Sequence, residues 1–189
     1  RDLEECSRDY GDYVSRVFFA DGDALVVRTS LLLELLAYVK NHFPYVERVT
    51  AYGTASDVLR KSEEELRVLR AAGLEMIYLG AESGDDDILL QIRKGQTAQE
   101  LIDAGRKLKR CGIKTSVTLI SGLGGRAGIR SHAIKSAHLI SAMNPEYASI
   151  LTLHLTPESP MAQEIARGEM ELITPDEIMD ETELFLERS

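Results

Sequence analysis

Cysteine is scarce in this chain of 189 residues, with Cys6 and Cys111 the only two. Each falls in a helical pattern and neither has a second cysteine nearby. That excludes a disulfide framework and fits reduced structural thiols in a cytoplasmic protein. Long apolar runs are missing as well: the longest, Leu31 to Val39, is broken by Glu34, so no segment reads as membrane-spanning. No signal-peptide pattern opens the chain, and a start at Arg1 rather than Met reads as a trimmed beginning. Positive charge is in deficit, 22 Lys and Arg against 31 Asp and Glu, for a net charge of -9. This disfavours a non-specific polyanion binder, because phosphate backbones are held mainly by Lys and Arg; nucleic acid is not indicated. Linkers, repeats and low-complexity runs are also lacking, and a hydrophobic content of 44% can bury an ordinary core, so residues 1–189 read as one domain.

What is present is a repeated grammar. Short apolar runs at Arg16 to Ala20, Arg48 to Tyr52, Ile77 to Gly80, Ile113 to Ile120 and Tyr147 to Leu153 read as strands. Helical patterns separate them: Asp2 to Tyr10, Leu31 to His42, Ser62 to Ala71 with Ser62 and Glu65 as a capping box, Ala98 to Arg110, and Ser131 to Met143. Gly73 and Gly112 each stand where a helix should end before a strand. Alternation of this kind implies an α/β fold, a parallel sheet wound with right-handed crossovers. Residues 13–160 carry the strand and helix repeats, and residues 161–189 form a C-terminal helical segment, opened again by Thr174-Pro175 before an amphipathic run from Asp176 to Glu187.

The strand ends carry the chemistry, since α/β proteins place ligands at the carboxyl ends of parallel strands. Ile77 to Gly84 ends in Glu82, Ser83 and Gly84, and Asp85 to Asp87 suit the first turn of a helix. Ser83 or Asp85 as a plain helix cap, with Glu82 solvated, explains the same residues. Asp21-Gly22-Asp23 follows the first strand and can receive an ammonium group; a simple β-turn is the competing account. Ser121-Gly122-Leu123-Gly124-Gly125 leaves room for a planar ring or a phosphate, yet matches neither the dinucleotide fingerprint nor the P-loop spacing. His42, His132 and His138 read as surface or packing residues, because no paired metal-ligand spacing occurs, and His154 reads as a packed strand histidine. The leucines between Leu31 and Leu36 read as helix core.

Taken in order, these loops resemble the radical S-adenosylmethionine (radical SAM) enzymes, from about Tyr13 to Pro160. Ala20-Asp21-Gly22-Asp23-Ala24 resembles the family's Gly-Gly-Glu-Pro element. Gly80 to Gly84, followed by Asp87-Ile88-Leu89 and Arg93-Lys94-Gly95, resembles the segment that meets ribose and carboxylate. Thr118 to Gly125 resembles the Ile-x-Gly-x-Pro-Gly-Glu element beside the adenine, and Leu153 to Pro160 the final strand. The branch with methylthiotransferases, oxygen-independent coproporphyrinogen oxidases and Elongator-type catalytic subunits is the most similar. The resemblance implies a partial TIM-type barrel of parallel strands whose first strand is missing, residues 1–12 being a remnant of the first helix. It implies S-adenosylmethionine and a 4Fe-4S cluster as cofactors, an electron-donor protein and a substrate that the sequence does not specify. Asp21 and Asp23, with Gly22, would anchor the ammonium; Glu82 and Ser83 the ribose; Arg93 or Lys94 the carboxylate; Thr118, Gly122, Leu153 and His154 the adenine end. No side chain is expected to act as nucleophile or general base.

Three departures qualify the match. The Cys-x-x-x-Cys-x-x-Cys motif that holds the cluster is absent, so the metal ligands are expected upstream of Arg1, and this chain by itself is expected to be inactive. Asp21-Gly22-Asp23 stands in place of Gly-Gly-Glu, and Gly124-Gly125-Arg126 in place of Pro-Gly-Glu. The alternative reading is a parallel α/β barrel enzyme or binding module of another kind, using Ser121 to Gly125 as a phosphate cradle.

Overall fold

In a computed structural model of the chain, residues 2–20 and 22–189 are described. Helix α1 (Asp2–Tyr10) precedes β1 (Arg16–Phe19), a 3-10 turn (Ala24–Val26), α2 (Thr29–His42) and β2 (Arg48–Gly53). Then come α3 (Ala55–Arg60), α4 (Glu63–Ala72), β3 (Leu74–Glu82), α5 (Asp86–Gln91), α6 (Ala98–Arg110) and β4 (Lys114–Ser121). Helix α7 (Gly125–Met143), β5 (Tyr147–Thr152), α8 (Pro160–Ala166) and α9 (Pro175–Arg188) complete the succession. Among the described residues five strands form one parallel sheet in the order β1-β2-β3-β4-β5, as the alternating pattern requires.

Local chemistry explains most boundaries. The capping box of α4 forms as read, Ser62 accepting from the Glu65 N–H while Glu65 accepts from that of Ser62. Gly73 ends α4 in the left-handed conformation, φ 119°. Thr174 and Glu177 cap α9 in the same reciprocal way. Three places differ from the sequence reading. Helix α7 begins at Gly125, six residues earlier than the pattern from Ser131, and at this start the Arg126 N–H, which has no partner within the helix, is bonded to the Glu171 carbonyl at 2.9 Å. Helix α3 is an additional turn and a half, nucleated by Thr54, whose hydroxyl accepts from the Asp57 N–H. Strand β5 stops at Thr152, so His154 lies beyond it in coil and is exposed, not packed on a strand.

The chain packs as two compact units. Unit 1 comprises residues 1–79 and 103–116, with Leu36, Val39, Leu66, Leu69 and Ile77 in its interior, none more than 2% exposed. Each such side chain contributes about 1.5 to 3 kcal/mol of burial. The leucine run of α2 divides: Leu32 and Leu36 are buried, whereas Leu31 is exposed and lines an apolar cleft with Leu3, Phe18 and Val26. Unit 2 comprises residues 80–102 and 117–189, where α7 and α9 pack together and bury Leu119, Leu139 and Phe185. Cys6 and Cys111 are free thiols; Cys111 is buried and its pKa is pushed up by that burial. No helix among the described residues is long and apolar enough to cross a membrane.

Candidate functional site

In unit 1 the turn after β1 brings Asp23 to the end of β2. Asp21 lies outside the described residues. Gly22 takes φ 79°, a conformation that glycine adopts freely, and leads into Asp23. The Asp23 carboxyl accepts from the Leu25 N–H at 2.8 Å and the Thr54 N–H at 3.2 Å. The Thr54 hydroxyl oxygen lies 2.9 Å from Asp23 Oδ2 and 2.8 Å from Asp57 Oδ2. The single hydroxyl proton serves one of the two carboxyl groups at a time. Burial, then the hydrogen bond with Asp57, raises the pKa of Asp23, whereas Asp57 is lowered, first by its hydrogen bond with Asp23 and also by paired Arg60. Sequence reasoning missed Thr54 and Asp57; a Thr directly after a strand, three residues before an Asp, was the available signal for a cap at the strand end.

In unit 2, Glu82 closes β3 with φ 64°, in the left-handed region that a glutamate seldom occupies. Its carboxylate folds back over Gly80 and meets Lys94 Nζ at 3.0 Å, the two side chains 22% and 21% exposed. A Cβ on Gly80 would overlap Glu82 Oε1, so the glycine is what leaves room for this arrangement. Arg93, beside Lys94, is also left-handed, φ 56°, and is exposed.

The neighbouring candidates serve the turn. Ser83 is fully buried, and its hydroxyl accepts from the Asp85 N–H at 2.9 Å. Asp85 caps α5 through the Asp87 N–H and is held by Ser131 at 2.5 Å and Lys135 at 2.7 Å. The helix-cap reading of Asp85 therefore holds, and Glu82 stands apart from it as a half-buried, paired residue.

At the end of β4, Gly122 takes φ 85° and donates its N–H to Glu181 Oε2 at 2.9 Å. Leu153 lies beside it, its own N–H bonded to the Ser121 carbonyl at 3.0 Å. Thr118 is half-buried, its hydroxyl 3.4 Å from that of Ser149. Ser121, Gly122 and Leu153 are thus brought together, while His154 is not part of the group. The amide that a phosphate cradle at Gly122 would offer is already bonded to Glu181. Among the described residues no group of three or more His, Cys, Asp or Glu side chains could hold a metal ion. Cys6 and Cys111 do not make a cluster ligand set, so the residues present do not fit a 4Fe-4S cluster.

Residues 1–127 match the family model described as the Radical SAM superfamily, which covers more than half of the chain. The chain belongs to that superfamily. Solved structures agree on the fold. Coproporphyrinogen III oxidase from Escherichia coli aligns over 93% of this chain and 40% of its own, with 16% identity and a TM-score of 0.70. Elp3 of the archaeon Methanocaldococcus infernus aligns over 97% and 47%, with 15% identity and a TM-score of 0.71. The radical S-adenosylmethionine methyltransferase TsrM from Kitasatospora setae aligns over 88% and 32%, with 20% identity and a TM-score of 0.68. This chain therefore spans less than half the length of each of these proteins. No curated protein sequence matches it significantly. The parallel α/β succession is that of a partial TIM-type barrel, and the oxidase and Elp3 represent two of the branches that the sequence landmarks resemble.

Proposed function

We propose that this chain is the S-adenosylmethionine-binding part of a radical enzyme. The observation that carries the proposal is Glu82: a left-handed glutamate at a strand end, folded over a glycine and tied to Lys94. Strain of this kind is tolerated where a group must be held ready. In an intact enzyme of this kind, S-adenosylmethionine and a 4Fe-4S cluster would supply the radical chemistry, reductive cleavage of the sulfonium and hydrogen abstraction from a substrate. What the residues of this chain do is bind and orient. Glu82 accepts from ribose hydroxyls, and Lys94, with Arg93 behind it, meets a carboxylate. Asp23, with Gly22 and Asp21 next to it in the sequence, receives an ammonium. Gly122 and Leu153 border the adenine, and Thr118 on β4 and His154 after β5 stand as further candidates for that end. Ser83 supports Glu82 through the turn rather than by touching ligand. The cluster, an electron-donor protein and the substrate-selective parts of such an enzyme lie outside what these residues supply.

Calorimetric titration with S-adenosylhomocysteine, which needs no cluster chemistry, tests the reading. Losing a charged acceptor in a half-buried site costs about 1.5 to 3 kcal/mol, so Glu82→Ala should weaken binding roughly ten- to a hundred-fold. Glu64→Ala, on an exposed face of α4, should leave it unchanged. Equal affinities in the two folded variants would return Glu82 to a merely conformational role.

A further inference from the structure

The Ser121–Gly122 turn is gripped by a residue from far along the chain. Glu181, near the middle of α9, is 3% exposed. Its Oε2 accepts from the Ser121 hydroxyl at 2.5 Å and the Gly122 N–H at 2.9 Å, and its Oε1 lies 3.0 Å from His132 Nδ1. Burial pushes the Glu181 carboxyl up, but the hydrogen bonds from His132, Ser121 and Gly122 outweigh it and bring the pKa below the ordinary range.

His132 is 3% exposed as well, and its Nε2 has no hydrogen-bond partner among the described residues, so Glu181 is what its ring engages. The other groups around this pair are Leu119, Ala133, Ser136, Ile150, Thr182 and Phe185, none of them charged. A buried carboxylate is expensive to desolvate, and what offsets that cost here are its three hydrogen bonds, to Ser121, Gly122 and His132. The carboxylate has a more specific consequence, which is the placement of Gly122. On its other side Gly122 is closed in, the side chain of Ile173 lying 3.2 Å and that of Leu153 3.7 Å from where a Cβ would be.

We infer that Glu181 is a positioning residue: from α9 it presets the Ser121–Gly122 turn that meets the adenosine end of the ligand, with His132 orienting it. The inference rests on the proposed function for what the turn meets, and on unit 2 alone for how the turn is held. Two measurements on the 189-residue chain separate the two. Glu181→Gln keeps the shape and removes the charge. Hydrogen exchange at the Gly122 amide, followed by NMR, should accelerate at least about tenfold, since exchange reports local opening. Affinity for adenosine should fall about tenfold, as for loss of one charge-assisted hydrogen bond, while affinity for methionine changes by less than about twofold.

Ser121→Ala, which leaves the Glu181–His132 pair in place, should shift both readouts in the same direction by smaller factors, and it stands in if the Gln variant does not fold. Unchanged Gly122 exchange in a folded variant overturns the inference. So does an equal loss for adenosine and methionine, the pattern of a scaffold defect. If the unmodified chain binds neither adenosine nor S-adenosylhomocysteine, the proposed function falls and the ligand half of the inference with it, while Gly122 exchange still decides whether Glu181 holds the turn.

Discussion

Gly80→Ala should separate ligand binding from folding. Gly80 lies within β3 in ordinary strand conformation, so alanine is compatible with its backbone and gains about 0.4 to 1 kcal/mol by restricting the unfolded chain. The new methyl group would overlap Glu82 Oε1 and come within 3.4 Å of Glu82 Cδ and 3.5 Å of Lys94 Nζ. The obstructing atom is the far end of a flexible side chain, so the carboxylate swings away and the strand does not move. The ion pair it abandons is about one-fifth exposed on each side and is worth about 1 kcal/mol or less to stability. Gain and loss nearly cancel, and the net change should stay within about 1 kcal/mol. Binding has no such compensation: displacing the charged acceptor should cost about 1.5 to 3 kcal/mol, or roughly ten- to a hundred-fold in affinity for S-adenosylmethionine. Thermal denaturation and calorimetric titration of the same preparation measure the two quantities. Affinity within about twofold of the unmodified chain would refute the role of the folded-back carboxylate. A stability loss of several kcal/mol would refute the claim that the side chain, not the backbone, absorbs the methyl group.

Gly84→Ala should behave in the opposite way, because there an added Cβ would overlap the Lys135 carbonyl and lie 2.7 Å from Ser136 Cα, backbone atoms of α7 that cannot turn aside. A loss of more than about 3 kcal/mol in denaturant unfolding is expected, and a well-tolerated variant would show that α7 can shift. Asp85→Asn tests the acid limb of stability. Burial raises the Asp85 pKa, but the hydrogen bonds from Lys135, Ser131 and Asp87 bring it below the ordinary value. A carboxyl lowered on folding stabilises above its unfolded pKa and loses that contribution as pH falls through the folded one, here below about pH 4. The variant should be about 2 to 3 kcal/mol less stable at pH 7 and lose less on acidification; parallel stability curves from pH 7 to pH 2 would exclude the linkage.

Much of the fold was legible because the rules that set helix ends and strand faces act over a few residues. Ser62 and Glu65 announce α4, Thr174 and Glu177 announce α9, and Ala98 to Arg110 is read with both of its limits. The same rules fail where local preference and packing disagree. Gly125 and Gly128 argue against a helix, yet α7 extends over both. His154 follows an apolar run but has already left β5.

The sequence by itself determined the order of strands and helices, the absence of a cluster-ligand cysteine set among these residues, and the position of Glu82 at the end of a strand. Each of these depends on neighbours in the chain or on composition. Only the tertiary structure decided which groups meet. Thr54 bridges Asp23 from 31 positions away, Lys94 pairs with Glu82 across 12, and Glu181 closes on Gly122 across 59. Such pairings leave no periodic trace, because they are made when packed elements bring distant backbone together and the polar groups trapped there must find partners. That is why Glu82 could be named before the fold was seen, and Glu181 could not.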